Sequence, residues 1–344
     1  MTVAVVGAGA IGGLLGAHLA RAGEDVVLIA RGPHLAAMRL RGLTVRAGGE
    51  EFTVHPRCTD DMGAVAEAGV VFITLKAHSI PAVAADIGRA LQPDAAVVGA
   101  MNGIPWWYFP DRHLESVDPG GVIARSIPQR QAVGCVVYPA ATIVEPGVVE
   151  HEEGDRFSLG EPDGSKTQRV QHIAAMLASA GFKAPVQTRL RSEIWLKLLG
   201  NATVNPVSAV TGATMAEMFR TDASRALIRT LMEEVASVAA ALDVALPLSI
   251  EKRMEGAASL GEHKTSMLQD MEARKPLELD ALLGAVIEIA DWKQVAVPSL
   301  RSLYGLAKLA EEVRRKPDHF EELLLGAGPP SPTRNADEEA SEDT

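Results

Sequence analysis

The sequence predicts an α/β fold in which an N-terminal, doubly wound parallel sheet is followed by an all-α C-terminal domain. Up to about residue 188, short β-branched runs alternate with segments of helical periodicity, a pattern typical of a parallel sheet covered by helices on both faces. A glycine-rich turn follows the first run. From about residue 190 onward the strand patterns end, and long Ala-, Leu- and Glu-rich helical stretches follow.

Four apolar runs that each end in a loop are the expected strands of the sheet: TVAVVGAGA, DVVLIAR, VVFITLK and AAVVGAMN. Residues 11–22 and 80–91 have helical periodicity between them. Segment 135–161 contains short strands separated by Pro and Gly, so we expect it to add an antiparallel edge. Three long helices are expected in the second half, at 220–243, 279–294 and 299–316.

The length of 344 residues exceeds what a single hydrophobic core usually supports, so two domains are expected. We assign residues 1–188 to the sheet domain and 189–326 to the helical domain. Residues 327–344 are rich in Pro, Ser and acids and predict a disordered acidic tail.

Composition and charge exclude several classes of function. The net charge is −11, from 44 acidic against 33 basic residues, with no basic cluster, which argues against nucleic-acid binding. No apolar run is long enough to span a membrane, and the N-terminus lacks the leading charge of a signal peptide. Two cysteines without paired spacing favour a reducing compartment, so we expect a cytoplasmic protein. No Cys/His set has the spacing of a metal site.

The glycine-rich turn has the spacing of a dinucleotide fingerprint. It follows a predicted strand and opens a predicted helix, where exposed N–H groups and the helix dipole favour phosphate, as in Rossmann-type folds. The alternative is a glycine turn that serves packing alone. The six residues of the motif are Gly7, Ala8, Gly9, Ala10, Ile11 and Gly12.

The ends of three further strands carry polar side chains, at the edge where such sheets bind ligands. Arg31 stands where NAD-specific folds carry an acid, which favours the 2′-phosphate of NADP, although Arg31 could equally be a solvated residue after a strand. Lys76 offers a positive charge, and Asn102 can donate and accept hydrogen bonds near a nicotinamide or a substrate. Either of the last two could instead be an ordinary surface residue.

A mostly apolar stretch, WLKLLGNATVNP at 195–206, carries Lys197, Asn201 and Asn205 at four-residue steps. On one continuous helix these three side chains would form a narrow polar stripe, since four residues advance about 40° around the axis. An ammonium can stabilise and protonate the oxygen of a ketone under hydride attack, and amides can orient a small polar substrate.

These motifs resemble the ketopantoate reductase family over residues 1–316. The resemblance is carried by GAGAIG at 7–12, ARG at 30–32, LKA at 75–77 and NG at 102–103. More specific are EIWLKLLGNATVNP at 193–206 and HKTSMLQDMEARKPLELD at 263–280. The resemblance implies a Rossmann-type domain followed by an all-α domain like the C-terminal domain of 6-phosphogluconate dehydrogenase, with the active site in the cleft between them.

The resemblance also implies the roles of individual residues. Lys197 falls on the catalytic lysine and Glu278 on the glutamate that assists it. Arg31 matches the residue that binds the 2′-phosphate of NADPH, and Lys76 matches the lysine near the nicotinamide and the substrate. The implied substrate-binding residues are Lys76, Asn102, Asn201, Asn205 and Ser266, of which Ser266 is the one that binds the substrate carboxylate.

Structural roles remain open for the same residues. Lys197 could be a lysine whose head reaches solvent. Glu278, read as the third residue of a helix opened near Pro276, could be an acid favoured by the helix dipole. Ser266 could cap a helix, and Asn205, which precedes a proline, could cap backbone carbonyls where the helix ends.

The sequence thus predicts NADPH-dependent reduction of 2-dehydropantoate to (R)-pantoate in pantothenate synthesis. Two departures from the family pattern leave a reductase of another small 2-keto acid as an alternative: the aromatic run IPWWYF at 104–109 and Met215 in place of a family asparagine. The aromatic run could reshape the substrate pocket at the cleft, and it could equally be an interface or a loop anchor. A non-catalytic NADP sensor is a second alternative. The sequence does not decide the oligomeric state; a homodimer through the helical domain is an option only by analogy with other helical domains that have many apolar faces.

Overall fold

The computed structural model describes residues 1–315, so the predicted acidic tail at 327–344 lies outside the described residues. Eleven strands are present in this part of the chain. They are β1 Thr2–Val6, β2 Asp25–Ile29, β3 Leu43–Ala47, β4 Glu50–Val54, β5 Arg57–Thr59, β6 Ala68–Ile73, β7 Ala96–Gly99, β8 Ala132–Val137, β9 Ala140–Glu145, β10 Val148–Glu153 and β11 Phe157–Gly160.

The main sheet has seven strands in the order β11-β8-β7-β6-β1-β2-β5. All neighbours are parallel except β11, which runs antiparallel to β8. Numbered among themselves, the six parallel strands follow the order 3-2-1-4-5-6 of the doubly wound dinucleotide folds. This confirms the predicted fold class, and it places the switch point between β1 and β6.

A second sheet was not predicted. It contains four strands in the order β4-β3-β10-β9, in which β10 pairs in parallel with β3. The prediction of a single antiparallel edge at 135–161 was therefore wrong in part. Within that segment β8 continues the parallel sheet and β11 alone forms the antiparallel edge, because the β9–β10 hairpin pairs with the β3–β4 hairpin instead.

Helices cover the main sheet and make up the second half of the described chain, in which no strand follows Gly160. The predicted long helices are present within a few residues of their expected bounds, although the middle one begins with a π-helical turn at Asp280–Gly284. The α-helices are α1 Ala10–Arg21, α2 Gly32–Arg41, α3 Pro81–Ala90, α4 Val122–Ser126, α5 Gln168–Ser179, α6 Leu190–Asn201, α7 Val204–Thr211, α8 Met215–Met218, α9 Asp222–Ala240, α10 Ile250–Ala258, α11 Ser266–Glu272, α12 Ala285–Lys293 and α13 Pro298–Arg315.

The aromatic run at 104–109 packs into the core that the two halves share. Trp106, Trp107 and Tyr108 are all buried, and the Nε1 of Trp195 on α6 donates to the hydroxyl of Tyr108 over 2.8 Å. Of the roles left open for these aromatics, the structure shows the loop anchor and not a position at the cleft. They anchor the loop after β7 to the helical half, because their large apolar surface is more stable when buried against α6.

Among the described residues, no helix combines the length and apolar character that crossing a bilayer requires.

Candidate active site

The glycine turn after β1 has the backbone shape that the motif predicts. Gly7 has φ of +93°, a conformation that favours glycine, and the Thr74 hydroxyl donates to its carbonyl over 2.8 Å. A Cβ at Gly12 would overlap that carbonyl and Thr74, so α1 can approach the sheet only with glycine there. A Cβ at Gly9 would meet no atom nearer than 3.8 Å, which leaves open space above the turn. This open cradle at a helix N-terminus fits a phosphate group.

One cleft extends from this turn to the helical half, with a volume of about 1910 Å³. It lies at the switch point, beyond the carboxyl ends of β1 and β6. Pockets for a single small ligand usually measure roughly 300–1,000 Å³, so this cleft has room for a dinucleotide together with a substrate. All predicted site residues except Gly12 line it: Gly7, Ala8, Gly9, Ala10, Ile11, Arg31, Lys76, Asn102, Lys197, Asn201, Asn205, Ser266 and Glu278.

The Lys197 ammonium is held on the cleft wall rather than extended into bulk solvent. Its Nζ donates to the backbone carbonyl of Val137 at the end of β8, and it lies 5.4 Å from the ring centroid of Tyr138. Burial lowers the pKa of Lys197 to about 8 from its ordinary value of 10.5. The negative charge of Glu278 opposes that decrease, and the positive charge of Arg253 adds to it. An ammonium in this range can both donate a proton and be recharged near neutral pH.

Glu278 joins the helical half to the sheet half. Its Oε1 accepts a hydrogen bond of 3.0 Å from the backbone N–H of Ala77, which follows β6. The expectation that Glu278 is the third residue of a helix was wrong, because the helical turn begins only after it, at Asp280, with Leu279 as its N-cap. The carboxylate is instead fixed across the cleft, where its charge acts on Lys197.

Lys76 is paired with an acid that the sequence did not single out. Its Nζ forms an ion pair with Asp270 on α11, so a second bridge spans the cleft beside the one made by Glu278. Asp270 lies in the motif at 263–280, but nothing in the periodicity of that motif separates it from an exposed helical acid.

The polar stripe is divided between two helices, so the expectation of one continuous helix was wrong. Helix α6 ends at Asn201 and α7 begins at Val204. The buried Thr203 turns its hydroxyl back to the carbonyl of Leu199, and Pro206 has no N–H with which to continue the ladder. Asn205 still reaches the cleft from the first turn of α7.

Ser266 is the first residue of α11 and lies on the cleft surface. It is not the helix cap. That role belongs to Thr265, whose hydroxyl accepts from the N–H of Leu268 over 3.2 Å.

Two further residues singled out in the sequence, Arg31 and Met215, line different parts of the cleft. Arg31 is exposed after β2 and makes no ion pair among the described residues. Met215 is buried, and it lines the cleft on the helical side. Of the two departures from the family pattern, only Met215 therefore contacts the space available to a substrate.

Two cleft residues were missed at the sequence level. Tyr138 follows β8, and its hydroxyl donates to Glu193 over 2.9 Å; burial and this carboxylate raise its pKa to about 12. Arg253 projects into the cleft from α10. A signal for Arg253 exists, because Ile250, Met254 and Ala257 form the inward face of α10 and Arg253 occupies the i+3 position of the same face.

A doubly wound sheet with a glycine cradle at its switch point, and a cleft that brings an ammonium opposite that cradle, is the architecture of two-domain Rossmann-type oxidoreductases. The family models agree. Residues 3–164 match the model described as ketopantoate reductase PanE/ApbA, and residues 189–311 match the model of its C-terminal part. The chain belongs to the ketopantoate reductase family.

Individual relatives cover nearly the whole chain. A 2-dehydropantoate 2-reductase of Mesorhizobium japonicum is 41% identical over 316 residues, which is 90% of this chain and 97% of the relative. A solved structure from Ralstonia solanacearum is similar with a TM-score of 0.86 at 40% identity and covers 91% and 98% of the two chains. A D-mandelate dehydrogenase solved with NADH and anilino(oxo)acetate has a TM-score of 0.80 at 22% identity, with 92% and 100% covered, and shares the fold.

Proposed function

We propose that this protein reduces 2-dehydropantoate to (R)-pantoate with NADPH, a step of pantothenate and coenzyme A synthesis. The observation that carries the proposal is the convergence of the glycine cradle, the Lys197 ammonium and the Glu278 carboxylate in one cleft. The name of the Mesorhizobium relative supports the choice of substrate.

Lys197 is the general acid in this proposal. NADPH, when bound, supplies the hydride. As the C–H bond forms, the ketone oxygen becomes an alkoxide, and the ammonium neutralises that charge and donates the proton that completes the O–H bond. The carbonyl of Val137 directs the ammonium, and Glu278 favours its charged form.

The remaining polar residues bind and orient the substrate without taking part in the proton transfer. The amides of Asn102, Asn201 and Asn205 and the hydroxyl of Ser266 line the same cleft as Lys197. Holding the ketone in one orientation can supply several kcal/mol of barrier reduction, on the order of that seen in intramolecular reactions.

The activity is tested with a panel of 2-keto acids and with Lys197→Ala. We expect 2-dehydropantoate to have the highest kcat/KM, and the variant to lose about 10²–10⁴-fold in kcat, since that is the usual contribution of a general acid. The affinity for NADPH, measured by calorimetry, should be nearly unchanged. A wild-type protein that binds NADPH and reduces no keto acid would indicate the cofactor sensor instead.

Specificity for NADP is proposed from Arg31. Its guanidinium lies at the ribose end of the cleft without an acidic partner among the described residues, as a 2′-phosphate site requires. Arg31→Ala should weaken NADPH binding by at least about tenfold, because a charge-assisted hydrogen bond contributes roughly 1.5–3 kcal/mol. NADH binding should change little. Equal losses for the two cofactors would contradict this assignment.

A reductase of another small 2-keto acid is the second candidate, and Met215 favours it. This apolar side chain lines the cleft and cannot make the hydrogen bonds of an amide. The apolar surface that Met215 gives to the cleft would suit a bulkier, less polar substrate. Negligible turnover of 2-dehydropantoate beside efficient use of an aromatic 2-keto acid would decide for this candidate.

We also infer a homodimer formed through the helical half. Among the described residues, Leu306 and Leu309 on α13 are 56% and 57% exposed and lie on one side of the helix. Sedimentation equilibrium should give twice the chain mass, and Leu309→Lys should shift the equilibrium toward the monomer. A monomeric wild-type protein would exclude the dimer.

A further inference from the structure

Arg253 is a cation in the cleft that the mechanism above does not use. It extends from α10 toward α6, where its guanidinium lies directly against Gly200, the residue before Asn201. A Cβ at Gly200 would overlap Nη2 of Arg253, so the guanidinium reaches this position only because α6 carries a glycine there. Arg253 also borders the cleft together with Lys197 and acts on its pKa.

The guanidinium lacks an anionic partner. Within residues 1–315 its side chain makes no hydrogen bond and no ion pair, while burial lowers its pKa. Two acids on the helical side of the cleft are already engaged, since Asp270 pairs with Lys76 and Glu278 accepts from Ala77. A half-buried cation without a partner is costly, and a ligand that supplies the opposite charge would remove that cost.

The local charge is therefore positive on the side of the cleft nearest Lys197. Two cations, Lys197 and Arg253, line the cleft with one carboxylate, Glu278, whose Oε1 is occupied by a backbone N–H. A second carboxylate, Glu193, also acts on Lys197, but it is already paired with Arg156. A ligand that brings one negative charge between them would balance the site. A 2-keto acid carries its carboxylate on the carbon next to the ketone, and the fork of an arginine matches the two oxygens of a carboxylate.

We propose that the Arg253 guanidinium supplies the positive charge that binds the carboxylate of the 2-keto acid substrate, in addition to the hydroxyl that the resemblance assigns to it at Ser266, and so makes the enzyme selective for acids over neutral ketones. This inference rests on the proposed function, and it adds a specificity-determining residue to it. With the carboxylate at Arg253, the adjacent ketone oxygen is directed toward the ammonium of Lys197. The amide of Asn201, next to Gly200, then borders the same end of the substrate.

The test compares Arg253→Met, Arg253→Lys and the control Lys252→Met, which removes an exposed positive charge one position earlier on α10. Each protein is assayed with a 2-keto acid and with the corresponding neutral 2-keto amide. For Arg253→Met we expect kcat/KM for the acid to fall on the order of a hundredfold, mainly through KM, because a charged pair is lost. Turnover of the amide should change by less than about threefold, and Arg253→Lys should recover part of the loss.

Cofactor binding separates this role from binding of a cofactor phosphate. Calorimetry should give the same NADPH affinity for wild type and Arg253→Met, and thermal unfolding should show that the variant is folded. An affinity for NADPH that falls with the variant, or an equal loss for acid and amide, would overturn the proposal. Lys252→Met should leave every value as in the wild type.

A binding measurement keeps the inference testable if turnover fails. Oxamate, an unreactive mimic of a 2-keto acid, is titrated into each protein in the presence of NADP. If the wild type binds oxamate and Arg253→Met does not, the carboxylate site is supported. This holds even if the wild type reduces no keto acid, a result that would contradict the proposed reaction alone. Equal binding of oxamate by both proteins would overturn the role of Arg253.

Discussion

At the scale of single residues, the site depends on charges held where water is scarce. Lys197 is the clearest case, because burial lowers its pKa to about 8, and the charges of Glu278 and Arg253 then act in opposite directions. A buried ammonium lowers the stability of the protein, whereas in the proposed reaction it is the group that donates the proton. The same residue is therefore expected to trade stability for activity.

Lys197→Met should stabilise the protein at pH 7 while it abolishes reduction. A pKa lowered from 10.5 to about 8 corresponds to a cost of about 3 kcal/mol for the charged form, at 1.36 kcal/mol per unit. The variant also loses the hydrogen bond to Val137, which offsets part of that stabilisation. The expected net increase in the free energy of unfolding is therefore about 1–2 kcal/mol, measured by urea unfolding. Because the folded pKa lies below the unfolded one, wild-type stability rises between pH 8 and 10.5, and the advantage of the variant should shrink over that range. A variant less stable at pH 7 would contradict this account.

The rate should also report the ionisation of Lys197. A general acid must be protonated, so kcat/KM for the keto acid should be constant below about pH 7 and fall tenfold per unit above about pH 8. Equilibrium binding of NADPH should not follow this curve. A decline that begins only near the ordinary pKa of 10.5 would show that the ammonium is not buried in the working enzyme.

At the scale of elements, the break between α6 and α7 shapes the cleft. One straight helix would carry Asn201 and Asn205 along a single line, whereas the turn at Ala202–Thr203 begins a new helix whose first residues face the cleft. Gly200 weakens α6 as a helix former, but its missing side chain leaves room for the Arg253 guanidinium from α10.

Gly200→Ala should separate the effect of Gly200 on the stability of α6 from its effect on the position of Arg253. Within a helix this change usually stabilises by about 0.5–1 kcal/mol, and the atom it would meet is the far end of a flexible arginine. We therefore expect a thermal midpoint at or above that of the wild type, together with a raised KM for the keto acid because the guanidinium is displaced. Gly256→Ala, on a helix where a Cβ would meet nothing within 4 Å, is the matched control. An unchanged KM in Gly200→Ala would show that the guanidinium is not needed in its present place.

At the scale of the whole molecule, the cleft is held by bridges between the sheet half and the helical half. Lys76 pairs with Asp270, Glu278 accepts from Ala77, and the aromatic loop after β7 packs against α6. Two of these bridges use residues that line the cleft, so the geometry of the site and the relative position of the two halves are coupled.

Asp270→Asn should loosen this coupling. Since Lys76 is partly exposed, the loss in unfolding free energy should be only about 0.5–1 kcal/mol. Amide hydrogen exchange at residues 74–77 should be faster by a few fold, and kcat/KM should fall because Lys76 is no longer oriented. Asp155→Asn removes an exposed pair with Lys183 away from the cleft and should leave both readouts unchanged. Equal exchange rates in the two variants would argue against a bridge at Asp270.

The sequence by itself determined the fold class, the family and thirteen of the residues that line the cleft. These follow from local patterns: strand periodicity, the glycine spacing at 7–12, and the motifs around Lys197 and Glu278. Such patterns are readable because each is set by the backbone shape or the chemistry of a short segment. Of the predicted site residues, Gly12 alone lies off the cleft, where it serves the close packing of α1.

Tertiary structure alone decided which distant groups meet. The second sheet joins hairpins about a hundred residues apart, the aromatic run at 104–109 is buried because α6 packs over it, and Asp270 becomes the partner of Lys76 only across the cleft. Arg253 and Gly200 likewise acquire their relation from the packing of α10 on α6. Burial and pairing depend on the whole assembled chain, and for that reason the charge balance of the site could not be read from any one segment.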